Sequence, residues 1–162
     1  MNETIEEKVG EIFSKAYRNN ELYEYLVGIG DYKIVFKDSA NYDYNDIGLM
    51  QRGINSFLSK NPHLNLDDFL NRSLLDCLNS NDIFKVNAVL DFVLFYVKYI
   101  KRETVNFNIN FEVIIPLLKD KILLLKQAMM EIKGKNDING NLWQSVQNRC
   151  DLYEIRTGQK IL

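Results

Sequence analysis

The sequence predicts an all-α fold, an irregular helical bundle or a short α-solenoid of antiparallel helical hairpins. Apolar residues recur at helical spacing through most of the chain. Start and stop signals bracket those stretches. Sustained apolar–polar alternation is confined to two short segments, 32–37 and 105–109. The length of 162 residues fits one domain, 1–162, and a chain of that size buries enough surface to fold without disulfide or metal.

The first helix follows Thr4, whose hydroxyl and Glu7 form a capping box. Its inner stripe is Ile5, Val9, Ile12, Phe13, Ala16 and Tyr17, and Asn19–Asn20 interrupt it. A second helix starts near Glu21 with Leu22, Tyr25, Leu26 and Ile29 inward, and Gly28 and Gly30 end or bend it. Residues 32–37 suit a short strand or a short helix equally. Residues 38–46 are polar and read as a loop. The next helix runs from about Asn45 to Lys60, with Ile47, Met50, Ile54, Phe57 and Leu58 inward, and stops at Asn61–Pro62 because a residue before proline avoids helical geometry.

Asn65 caps the following helix, and Asp67 and Asp68 lie in its first turn, where the helix dipole favours negative charge. Its inner face is Leu66, Phe69, Leu70, Leu74, Cys77 and Leu78. After a turn at 79–82, residues 83–101 are apolar nearly all round, as befits a central helix packed on several sides. Val105, Phe107 and Ile109 alternate as a strand would, but the intervening asparagines suit an irregular connection. A long helix spans about 111–133, with Pro116 near its start, where a missing backbone donor matters little. Gly134–Gly140 reads as a linker. The last helix spans about 141–157, with Leu142, Trp143, Val146, Cys150 and Tyr153 inward and Gly158 as its cap. Residues 66–101 and 111–157 thus read as two helical hairpins.

Chemistry-bearing motifs are scarce. The single histidine, His63, follows Pro62 in a turn and cannot supply a multi-histidine zinc site. Gly28-Ile29-Gly30 lacks the third glycine of a dinucleotide fingerprint. Cys77 and Cys150 are far apart and sit in apolar patterns, as buried thiols do. Glu112 and Asp120 are distant from other acids in sequence, so a carboxylate-based enzyme would need them to meet an acid in space. No cofactor or metal is expected, and the chain reads as a non-enzyme.

Charge narrows the partner. The net charge is −2, but residues 1–82 carry 14 acids and 8 bases, and residues 83–162 carry 8 acids and 12 bases. Lys98, Lys101 and Arg102 cluster at a helix end, with Lys119, Lys121, Lys126, Lys133 and Lys135 later; such charges complement helix dipoles and keep a surface soluble, and the acidic balance argues against nucleic acid. The amino terminus lacks a basic start and apolar run, and the longest apolar stretch, 86–97, is too short for a bilayer, so a cytoplasmic, non-membrane location is expected. The binding candidate is Asp38, Tyr42, Asp43, Tyr44 and Asp46. Tyrosine offers rigid contact area with a polar tip, and aspartate steers a basic partner.

In size, composition and paired-helix pattern the chain resembles the small helical immunity proteins of bacterial toxin systems, including contact-dependent growth inhibition. The resemblance implies a cytoplasmic inhibitor of a secreted, nuclease-like, basic toxin, with the acidic first half mimicking a phosphate backbone. An adaptor acting through self-association and an enzyme of unfamiliar carboxylate type are the alternatives.

Overall fold

A computed structural model describes residues 5–25, 27, 46–99, 107–131 and 138–162; within these, the side chains of 5–6, 46–51, 95, 98–99, 128–131 and 138–142 are left aside. All the regular structure among the described residues is helical. The helices are α1 (Ile5–Arg18), α2 (Asp46–Lys60), α3 (Leu66–Asn79), α4 (Ile83–Tyr99), α5 (Phe111–Glu131) and α6 (Ile138–Thr157), with a further helical stretch at 22–25. The Thr4 cap, the glycines at 28 and 30 and the ambiguous segment 32–37 lie outside the described residues. The chain divides into two compact units, Met1–Ser73 and Leu74–Leu162, and the division falls inside α3. The first expected hairpin, 66–101, straddles that division.

In the first unit, α1 buries Val9, Phe13 and Ala16, three members of the predicted stripe. It packs closely on α2. Gly10 and Gly53 let the two backbones approach: a Cβ built on Gly53 would sit 2.3 Å from a Val9 methyl and 2.9 Å from the Tyr25 hydroxyl. Beside this crossing lies an aromatic cluster. Phe13 meets Tyr25 edge-on at 4.9 Å between centroids and Phe57 at 5.1 Å, and Tyr17 meets Phe69 at 4.8 Å. Such pairs contribute about 0.5–1.5 kcal/mol each beyond their buried area.

The turns are held by asparagine. Asn20 ends α1 at φ 57° and accepts a bond from Arg72 at 3.0 Å. Asn61 ends α2, its amide donating to the Phe57 carbonyl at 3.1 Å. Asn65 caps α3, accepting from the Asp68 amide at 3.4 Å. Asn81, also at φ 57°, accepts from Lys121 at 3.0 Å. Asparagine tolerates this left-handed conformation better than most side chains. Asp82 then caps α4, accepting from the Phe84 amide at 2.8 Å.

The second unit is built on α4, which packs against α5 and α6, with α5 also against α6. Its Val86, Val89, Leu90, Phe92, Val93, Leu94, Tyr96 and Val97 are all buried, as an all-round apolar helix requires. Arg149 of α6 pairs with Asp91 at 2.5 Å and donates to the Asn87 side chain, and Arg156 donates to the Leu94 carbonyl at 2.9 Å. Both arginines reach residues 62 positions earlier. That constant offset, repeated one heptad apart, means α4 and α6 run parallel in fixed register.

Three expectations need correction. Pro116 is the sixth residue of α5, past the first turn, so it removes the amide that would bond the Glu112 carbonyl. The helix carries it because both residues lie on the exposed side, where water supplies the missing donor. The predicted linker 134–140 is too long: α6 begins at Ile138 and contains Gly140. A glycine costs about 1 kcal/mol in a helix interior, too little to stop a helix held by packing downstream. Trp143, expected inward, is only half-buried and lies under the Lys126 ammonium, 5.1 Å from the ring centroid. Residues 107–110 are irregular, not strand; Phe107 and Ile109 are buried, and the Phe107 carbonyl accepts the Tyr96 hydroxyl at 3.3 Å.

Candidate partner-binding surface

Of the predicted binding residues, Asp38, Tyr42, Asp43 and Tyr44 lie outside the described residues. Asp46 is the first residue of α2, its side chain not described. What the structure does show is the base from which this segment departs and to which it returns. Leu22 and Tyr25 are fully buried on one side of it, and Ile54 and Phe57 anchor α2 on the other. Burial pushes the Tyr25 phenol well above its ordinary pKa of 10.0, so this ring is a neutral structural group.

The charge of the first unit is unevenly placed. Its described side chains carry six acids (Glu7, Glu11, Glu21, Glu24, Asp67, Asp68) against six bases (Lys8, Lys15, Arg18, Arg52, Lys60, Arg72). The remaining residues, 1–6 and 28–51, carry six acids against two bases. The acidic surplus read from the whole first half is therefore concentrated in the same stretches that hold Asp38, Asp43 and Asp46.

The remaining candidate chemistry resolves simply. His63 is exposed in the α2–α3 turn. Among the described residues no group of three His, Cys, Asp or Glu is placed to hold a metal ion. Among the described residues Glu112 and Asp120 belong to no group of acids placed to hold a metal and make no hydrogen bond or ion pair, and both are exposed. Cys77 and Cys150 are buried and form no disulfide. Burial pushes the Cys150 thiol up to about 11, with neighbouring Arg149 opposing and Asp151 reinforcing the shift.

One surface escaped the sequence reading. The side of α5 opposite the buried Ile114, Leu118 and Ile122 carries Val113, Leu123 and Leu124 at 47%, 43% and 58% exposure, with Pro116 and Asp120 between them. At helical spacing Val113, Leu123 and Leu124 form a second apolar stripe on this helix.

A family model described as immunity factor for SPN (IFS) matches residues 1–157. The chain belongs to this family. The match covers nearly the whole length, both units included, and it agrees with the resemblance to small toxin-immunity proteins. No curated protein and no solved structure matches. No helix among the described residues is long and apolar enough to cross a membrane.

Proposed function

We propose that this chain binds and neutralises a cognate toxin domain, of the kind the family description calls SPN, and that it does so by occupation of a surface and not by turnover. The observation that carries this reading is the family match over residues 1–157. The finer form of the proposal is a cytoplasmic inhibitor whose acidic segment, with Asp38, Tyr42, Asp43, Tyr44 and Asp46, engages a basic face of the toxin. The concentration of the acidic surplus in 1–6 and 28–51 supports it, because clustered carboxylates steer a basic partner and form charge-assisted bonds to its Lys or Arg. A nuclease toxin delivered between touching cells fits the same charge logic, with the carboxylates standing in for phosphates.

The test is the association rate of the purified chain with recombinant SPN across ionic strength. The unaltered protein is expected to bind with a rate that falls as salt rises. The triple change Asp38→Ala, Asp43→Ala, Asp46→Ala should flatten that dependence and slow association roughly tenfold or more. An unchanged rate and affinity for the triple variant removes the acidic segment from the interface.

A further inference from the structure

We propose that Tyr25 and Gly53 form a joint at the base of the acidic segment and are positioning residues for toxin binding. The proposal rests on the reading that Asp38, Asp43 and Asp46 engage the toxin, and adds how that segment is held. Among the described side chains, Tyr25 is the last buried one before the segment, and Gly53 is the first buried position after it. Glu24 and Val27 on either side of Tyr25 are exposed, as is Arg52 next to Gly53. The two residues therefore mark where the described core gives out on each side.

These two residues meet. Both belong to the first unit. A Cβ built on Gly53 would lie 2.9 Å from the Tyr25 hydroxyl, 2.3 Å from a Val9 methyl and 3.0 Å from the Val9 carbonyl carbon. The helical stretch 22–25, α1 and α2 thus converge on one missing side chain. Glycine inside a helix is destabilising relative to alanine, and this close approach is what Gly53 makes possible. Tyr25 is seated from behind as well. Its ring stands edge-on to Phe13 at 4.9 Å between centroids, and Phe13 in turn meets Phe57 of α2 at 5.1 Å. The ring is fully buried, so its hydroxyl is aimed at α2 by packing on every side.

Residues 28–45 join these two stems. A segment whose stems are fixed relative to each other loses less conformational freedom on binding than one whose stems shift. A change at the joint therefore reaches the toxin through the segment, although both residues are buried and neither touches a partner. Neither carries charge, so the effect is one of placement and leaves the charge that attracts the toxin as it was.

The experiment is a double-mutant cycle on the full-length chain, reading affinity and both rate constants for recombinant SPN. Tyr25→Phe keeps the ring against Phe13 and removes the hydroxyl. Gly53→Ala sets a methyl between Val9 and Tyr25. Each is made in the unaltered chain and in the Asp38→Ala, Asp43→Ala, Asp46→Ala background. Tyr153→Phe, at a buried tyrosine of the second unit, controls for loss of a buried hydroxyl. Melting curves establish that each variant is folded; if Gly53→Ala does not fold, Tyr25→Phe decides. In the unaltered chain the joint variants should weaken affinity about fivefold or more, and Tyr153→Phe should leave it unchanged. In the triple-alanine background they should have little further effect, because the segment through which they act no longer contributes. If Tyr153→Phe weakens affinity as much, or the joint variants cost the same in both backgrounds, the effect is a general loss of packing and the proposal is overturned. If the triple variant binds weakly while the joint variants bind as well as the unaltered chain, the joint is overturned and the acidic-segment reading stands. If the triple variant binds as tightly as the unaltered chain, or the unaltered chain does not bind SPN, that reading falls and the proposal with it.

Discussion

At the scale of single residues, position decides what a side chain can do. Cys150 is a thiol by composition, but burial on the inner face of α6 holds it protonated, its pKa raised from an ordinary 9.0 to about 11. The linkage sign follows. The folded state binds this proton more tightly than the unfolded chain, so the associated stability is fully present below about pH 9 and is lost as pH rises towards 11. Tyr153, also raised by burial, acts in the same direction. Denaturant midpoints measured from pH 8 to 11 should fall, and Cys150→Ala should remove part of the decline. A thiol reagent at pH 8 should leave Cys150 unmodified until the protein unfolds. Gly53 illustrates the opposite kind of residue effect, since what matters there is the missing Cβ where α1 crosses α2. No spacing rule picks out a glycine whose importance lies in a contact with Val9, 44 positions earlier in the chain.

At the scale of elements, helix ends were legible because their chemistry is local. Asn61–Pro62, Asn65 and Gly158 stop, start and cap helices where expected; the Gly158 amide, at φ 76°, donates to the Glu154 carbonyl at 2.7 Å. Where a boundary was misread, a local breaker lost to tertiary packing, as at Gly140. The pairing of elements was not legible. Two arginines tie α6 to α4, and the Arg149 side chain is 17% exposed against 40% for Asp91. Arg149→Ala should therefore destabilise by about 1–3 kcal/mol, since it leaves Asp91 and the Asn87 side chain without their donor. Arg149→Lys should not restore the loss, because one ammonium lacks the planar fork that reaches both acceptors. Urea titration of the two variants, with Asp91→Ala to close a double-mutant cycle, measures the coupling.

At the scale of the whole molecule, local stability should follow burial. Amide exchange is expected to be slowest in α4, which buries Val86, Val89, Leu90, Phe92, Val93, Leu94, Tyr96 and Val97, and faster in α5 around Pro116 and along its outer face. Mass-spectrometric exchange on the full chain checks this; protection of α5 equal to or above that of α4 would contradict it.

What the sequence determined by itself was the helical class, most of the boundaries, the inward faces of α1, α3 and α4, and the acidic character of one stretch. These depend on periodicity, caps and side-chain charge, which act between near neighbours. Only the tertiary structure decided the parallel register of α4 and α6, the close crossing at Gly53 and the half-exposed setting of Trp143. It also decided that α5 keeps an apolar stripe in solvent. Each of these depends on which distant surface arrives against a helix, and a helix carries the same residues whether or not its second face is covered.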